Sequence, residues 1–283
     1  MQRLLVLCLL LGTTHHLINI HAQKINETVD FAKLAKILKK PAFQTRVIGG
    51  HVTTIEKLGG YLVAMKYLNS FICGGALIRD VIVLTAAHCF ENRNTKENWS
   101  IHGGISRLSE YRVLRFIKKI IKSADFQMHT MNMDVAVVLL NRPMFGKNIG
   151  TLSLCSTPLT PGRTLVVAGW GMTHADDKDP ENLLRTVSVP VIEKNYCREV
   201  YKHAAEITDS MFCASVLGKK DACTYDSGGP LVYKKEVCGI VSFGIGCASK
   251  KYPGVYTDVN YVKPFIEKGI SALLSRRTRP RRG

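Results

Sequence analysis

Three short segments, far apart in the chain, carry side chains that together could activate an oxygen nucleophile. They are Leu84-Thr85-Ala86-Ala87-His88-Cys89, Met133-Asp134-Val135-Ala136-Val137 and Asp226-Ser227-Gly228-Gly229-Pro230. A serine hydroxyl attacks poorly at neutral pH unless a histidine takes its proton and, usually, a carboxylate orients that histidine. His88, Asp134 and Ser227 supply one group of each type, in the chain order His, Asp, Ser. Singly, each has a plain alternative: a satisfied core histidine, an acid at a strand edge, a serine in a turn. Only a fold that gathers the three segments turns them into acyl-transfer chemistry.

The elements that would gather them begin near Val47. From there, short β-branched and aromatic runs alternate with Gly, Pro, Asn and Asp, as in Tyr61–Leu68, Ala76–Thr85, Asp134–Leu140, Thr164–Gly169 and Val237–Phe243. Many short strands with turn signals indicate an all-β sandwich or barrel. A late helix is predicted over Val262–Leu274, with Asn260 as a cap and Pro264 in the first turn. With 283 residues and 46% hydrophobic content, the chain can bury a substantial core in one large domain or two small ones.

Upstream, Leu4–Leu11 follow Arg3, and Ala22 offers a small residue at a cleavage point, so residues 1–22 read as a secretory signal peptide. That run is too short to span a bilayer, and no later stretch is expected to. The expected location is therefore extracellular. In the next segment Phe31, Leu34 and Leu38 recur near helical spacing among lysines, and Pro41 ends the pattern. Such a basic amphipathic helix can be solvated or membrane-active, and its shortness favours the solvated state.

Nine cysteines are present, of which Cys8 lies in the signal. The other eight, an even number in a secreted chain, suggest four disulfides. None has the Cys-x-x-Cys spacing of a zinc or redox centre, and no cofactor or metal is expected. Residues 1–46 hold seven Lys/Arg and two Asp/Glu, which leaves 32 against 20, or +12, for the rest. Arg276, Arg277, Arg279, Arg281 and Arg282 crowd into the last eight residues, a basic arm over 275–283 that could meet a polyanion.

Taken together, in this order and with Cys73 and Cys89 beside the histidine, the three segments closely resemble those of the chymotrypsin/trypsin family of serine peptidases, over essentially all of Val47–Leu274. The resemblance implies two antiparallel six-stranded β-barrels around a central cleft, with a C-terminal α-helix. It makes His88 the general base, Asp134 its orienting partner, Ser227 the nucleophile and Ser242 a support for the aspartate. The backbone N–H groups of Tyr225 and Ser227 would form the oxyanion hole. Arg46-Val47-Ile48-Gly49-Gly50 resembles the family's activation junction, so residues 23–46 would be a pro-segment and the freed amine of Val47 would pair with Asp226. Asp221, six residues before Ser227, occupies the place of the acid at the base of a trypsin pocket, whose walls Gly244 and Gly254 leave open. Cleavage after Arg or Lys is then expected, and Arg46 itself fits, so activation by this chain or by another trypsin-like protease is anticipated. The family pattern pairs Cys73 with Cys89, Cys197 with Cys213 and Cys223 with Cys247. Cys155 and Cys238 do not stand where the usual remaining family pair would, at Leu165 and Tyr233, and are joined by elimination, as in some insect relatives.

The match departs from the pattern at several places. Tyr225 stands where the family has glycine, which keeps the N–H but implies reduced activity or narrow specificity. Phe243 replaces a tryptophan of the substrate cleft. The loop that binds calcium in many trypsins is shortened around Gly103–Tyr111, with Glu110 its only acid, so no calcium is expected there. Sequons stand at Asn26 and Asn98. Arg112, Arg115, Lys118, Lys119 and Lys122 interleave with apolar residues, which favours a solvated strand face over a polyanion site. Three readings compete: an active monomeric Arg/Lys-specific endopeptidase of the compact insect type, digestive or seminal-fluid; a non-catalytic homologue that binds or regulates partners; and a cationic protein acting through its tail. Specific nucleic-acid binding is not expected.

Overall fold

The structure, a computed structural model, describes residues 50–171, 180–219, 226–246 and 248–275. The first group of strands is β1 (His51–Val52), β2 (Leu62–Tyr67), β3 (Ser70–Arg79), β4 (Ile82–Thr85), β5 (Trp99–Gly103), β6 (Val113–Lys122) and β7 (Ala136–Leu140). Strands β2-β3-β4-β7-β6-β5 close into an antiparallel barrel. The second group is β8 (Ser153–Leu154), β9 (Thr164–Gly169), β10 (Arg185–Ile192), β11 (Met211–Ala214), β12 (Pro230–Tyr233), β13 (Glu236–Phe243) and β14 (Gly254–Asp258). Here β10-β11-β14-β13-β12-β9 form a ring that β9–β10 pairing closes, with β1 added on β10 and β8 running parallel to β13. Closure removes the free edges that short strands would otherwise expose.

The sequence pattern explains these elements. Val63, Leu77, Val83, Ile101 and Val138 are buried in the first barrel, and Leu165, Val167, Val189, Leu231 and Ile240 in the second. All of β7 is buried, so it reads as an unbroken apolar run. Its outer side lies under the C-terminal helix, where a Cβ on Gly269 would stand 3.3 Å from Val137 Cγ2. The run Ala76–Thr85, predicted as one strand, is two: the chain reverses at Asp80-Val81 and continues as β4, paired antiparallel with β3.

Among the described residues there are three α-helices, a turn α1 (Ile55–Leu58), α2 (Lys194–Tyr201) and α3 (Val259–Leu274). Helix α3 starts three residues earlier than its sequence pattern suggests. Asp258, not Asn260, is the cap, and its carboxylate accepts the Asn260 N–H at 2.9 Å. Pro264 therefore lies in the second turn. Burial of Val259 and Val262 on the core side outweighs the one backbone bond the proline removes.

Disulfides join Cys73–Cys89, Cys155–Cys238 and Cys197–Cys213, while Cys223 and Cys247 lie outside the described residues. Cys155–Cys238 spans 83 residues and fastens the segment after β8 to β13. Because a long closed loop restrains the unfolded chain most, Cys155→Ala/Cys238→Ala is expected to cost about 2–4 kcal/mol. In calorimetry of the full chain this is a fall in melting temperature of roughly 5–15 °C, and an unchanged midpoint would refute it.

Candidate active site

His88 opens a short 3₁₀ turn directly after β4, and Asp134 comes two residues before β7. Strands β4 and β7 are neighbours with Thr85 opposite Ala136, so pairing register alone brings the two side chains face to face. Asp134 Oδ2 lies 2.7 Å from His88 Nδ1, and Oδ1 accepts the His88 backbone N–H at 2.9 Å. A carboxylate in this position selects the tautomer with hydrogen on Nδ1 and leaves Nε2 as the basic nitrogen. The Cys73–Cys89 bridge fixes the turn to β3.

The second barrel completes the carboxylate's surroundings. Ser242 Oγ donates to Asp134 Oδ2 at 2.6 Å, and Thr257 Oγ1 donates to the Asp134 carbonyl at 2.9 Å. The β13–β14 register shifts between Val241 and Phe243, so Ser242 is the extra residue of a β-bulge, a device that re-aims a side chain. Asp134 is fully buried. Burial alone would raise its carboxyl, but the His88 charge and the bonds from His88 and Ser242 hold it below the ordinary carboxylate range.

The approach to Asp134 is backbone-strained. Met131 and Met133 have φ of 57° and 52°, in the left-handed region that side-chain-bearing residues rarely occupy. A polar latch holds them: Asn132 Oδ1 accepts from Thr208 Oγ1 at 2.8 Å and Ser210 Oγ at 3.0 Å, and Ser210 Oγ accepts the Met133 N–H at 3.1 Å.

Ser227 sits in a turn pressed against the histidine loop. Gly74 N–H donates to the Ser227 carbonyl at 2.8 Å, and Gly228 N–H to the Val241 carbonyl at 2.9 Å. Gly228 has φ of 75°, and a Cβ there would lie 2.2 Å from Thr85 Oγ1 and 3.1 Å from Cys89 Sγ. Only glycine permits both the conformation and the approach. The preceding Asp226 is 1% exposed. Its Oδ1 accepts the Gly171 N–H at 2.9 Å.

A base with an oriented tautomer, a buried carboxylate and a serine turn packed on the histidine loop form the layout of an acyl-transfer site. The trypsin family model matches residues 47–266. The chain belongs to the trypsin family. It is a serine endopeptidase, a hydrolase. This trypsin-family chain is 73% identical over 276 residues to Seminase of Drosophila melanogaster, covering 98% of this chain and 99% of that protein. It is 36% identical to a vitellin-degrading protease of Bombyx mori, over 83% of this chain and 89% of that protein. It is also 36% identical to trypsin II-P29 of Gallus gallus, over 80% and 90%.

Within the trypsin-family fold, His88, Asp134, Ser242 and the Ser227 turn come together. Phe243 ends β13 at 2% exposure, clustered with Met131, Tyr201 and Val255. Gly244 follows β13, and Gly254 opens β14 opposite Ala214. Asn98 is half-buried, and its Nδ2 donates to Tyr67 Oη at 3.2 Å. Asp221, Tyr225, Arg46, Val47, Asn26 and the arginine tail lie outside the described residues. Among the described residues, two groups of potential metal ligands, Cys73/His88/Cys89 and Cys155/Glu236/Cys238, contain disulfide sulfurs, which are not thiolate ligands. In the shortened loop, Lys66 donates its ammonium to the Leu108 carbonyl at 2.8 Å and Glu110 meets Arg112, a donor set opposed to a cation. Sequence reasoning missed Thr257, the Asn132–Thr208–Ser210 latch and the glycines around Asp226. Thr257 carried no local signal, since only the β11–β14 and β13–β14 registers place it beneath Asp134.

Proposed function

We propose that this trypsin-family chain is a secreted zymogen that, once cut after Arg46, hydrolyses peptide bonds after Arg or Lys. The observation that carries the catalytic part is the grip of Asp134 on both the Nδ1 and the backbone N–H of His88, with Ser242 behind it. Ser227 Oγ attacks the scissile carbonyl while its proton passes to His88 Nε2. Asp134 stabilises the imidazolium, and the N–H groups of Ser227 and Tyr225 receive the oxyanion. Collapse of the tetrahedral species returns the proton to the leaving amine and leaves an acyl-Ser227 ester. Water, activated by the same histidine, then hydrolyses that ester.

Specificity rests on Asp221, a pocket acid for a guanidinium or ammonium. The compact layout and the 73% identity to a protein named Seminase favour limited proteolysis of reproductive-tract proteins over digestion. Tyr225 favours one second reading, a weakly active homologue that works by binding.

The test is to cleave the full chain after Arg46 and assay Arg-, Lys-, Phe- and Glu-ended peptides beside Ser227→Ala. Hydrolysis of only the Arg and Lys peptides is expected, appearing after the cut and falling by about 10⁵–10⁶ in the variant. Absence of any Ser227-dependent hydrolysis would establish the second reading instead.

A further inference from the structure

Residues 111–150 hold seven Lys/Arg and two aspartates, and one of the aspartates, Asp134, is buried against His88. The strand β6 carries most of these cations along the outside of the first barrel. Its register with β7 shifts between Ile117 and Lys119. The resulting bulge turns the consecutive Lys118 and Lys119 both outward, where regular alternation would have buried one of them.

Two further cations come from a separate segment. Past β7, Asn141 bonds the Phe116 backbone in both directions, and Gly146 lies against Val113, so the 141–147 loop runs beside the first half of β6. That loop contributes the exposed Arg142 and Lys147. At the centre, Arg115 is preset: its Nε donates to the Pro143 carbonyl at 2.6 Å and its Nη1 to the Leu114 carbonyl at 2.7 Å, which fixes the guanidinium without neutralising it. Among the described residues, acids meet the ends of the row, with Glu110 on Arg112 and Glu91 on Lys122. Arg115, Lys118, Lys119, Arg142 and Lys147 face no acidic partner among the described residues. Phe116 and Phe145, at 44% and 65% exposure, add aromatic faces of the kind that pack on the C–H side of a sugar ring.

From this arrangement we propose that the β6 face and the 141–147 loop form a binding surface for a sulfated glycan. At about 3.3 Å per residue, the strand makes a ridge of roughly 30 Å, suited to an extended polyanion rather than to a single phosphate. The disulfides place the chain in an oxidising compartment, where sulfated glycans are the abundant polymers of that charge. Binding releases counterions from the polymer and so weakens steeply with salt.

The test uses the full-length Ser227→Ala chain with Arg276, Arg277, Arg279, Arg281 and Arg282 changed to Gln in every variant, which removes the tail's contribution. The probe is a heparin octasaccharide, titrated across a range of salt. Lys118→Ala/Lys119→Ala/Arg142→Ala is expected to weaken binding at least about tenfold near 0.15 M salt and to flatten the log–log salt dependence by about two to three units. Lys118→Arg/Lys119→Arg should bind like the parent, as should Lys250→Ala/Lys251→Ala on the second barrel. A triple variant that melts and binds like the parent overturns the proposal. Equal or tighter binding of duplex DNA with matched charge also overturns it, in favour of a nucleic-acid surface.

Discussion

Asp134→Asn is expected to lower kcat/KM at neutral pH by about 10⁴-fold while leaving the fold intact. The wild-type carboxylate accepts twice from His88, at Nδ1 and at the backbone N–H. An asparagine has one acceptor oxygen and one donor amide. If the oxygen keeps the backbone N–H, the amide points its hydrogens at Nδ1 and selects the tautomer protonated on Nε2. That nitrogen then cannot take the proton of Ser227. Ser242 can turn its hydroxyl to accept from the amide, so the packing survives and the loss is chemical rather than structural.

The pH dependence follows from the same site. Asp134 has a depressed carboxyl, so its ionised form stabilises the folded state above the unfolded carboxylate range, and that contribution is lost as pH falls through the lowered folded value. Asp134→Asn has no such titration. Its melting temperature should therefore fall less on acidification than that of the wild type, when both are measured in the Ser227→Ala background. An asparagine variant within tenfold of wild-type kcat/KM would remove Asp134 from the proposed mechanism.

The candidate catalytic groups were legible only as a set, through the alanines and cysteine around His88, the chain order and the glycines after Ser227, since singly each has a plain alternative. What joins them is not local. The Thr85–Ala136 register, the extra residue at Ser242 and the reach of Thr257 from β14 arise from strand pairing between distant segments, and no spacing in the sequence encodes them. The same limit explains the surface. Residues 112–122 do lie along an exposed strand face, as their pattern predicts, but a one-strand pattern shows neither the bulge at Lys118 nor the arrival of Arg142 and Lys147 from beyond β7. At α3, cap chemistry was read from Asn260 when Asp258, two residues earlier, had the same competence and closed the preceding strand.

The glycines around Asp226 lead to the other large expected effect. A Cβ on Gly171 would stand 2.2 Å from Asp226 Oδ2 and 2.5 Å from its Cγ, and one on Gly169 would stand 2.0 Å from Oδ1. Asp226 has a short side chain in a closed site, so it cannot slide past an added methyl and must swing away, losing the Gly171 N–H. Its own carbonyl accepts the Gly229 N–H at 2.9 Å, so the displacement is transmitted into the turn that carries Ser227. In the proposed activation, Asp226 also receives the new amine of Val47, and losing one partner of such a buried pair costs about 3–5 kcal/mol. Gly171→Ala, cut after Arg46, is therefore expected to lose at least about 10²-fold in kcat/KM. Asp226→Asn should lose as much without any steric change. The uncut Gly171→Ala chain should already melt below the uncut wild type, because the methyl displaces Asp226 before any cut, whereas uncut Asp226→Asn, with no steric change and no Val47 pair to break, should melt within a few degrees of it. In both cut variants the Val47 amine should react readily with cyanate, whereas in the cut wild type it is protected. Wild-type kcat/KM in cut Gly171→Ala would mean that the seat of Asp226 tolerates a methyl group, and the activation role assigned to this carboxylate would fall with it.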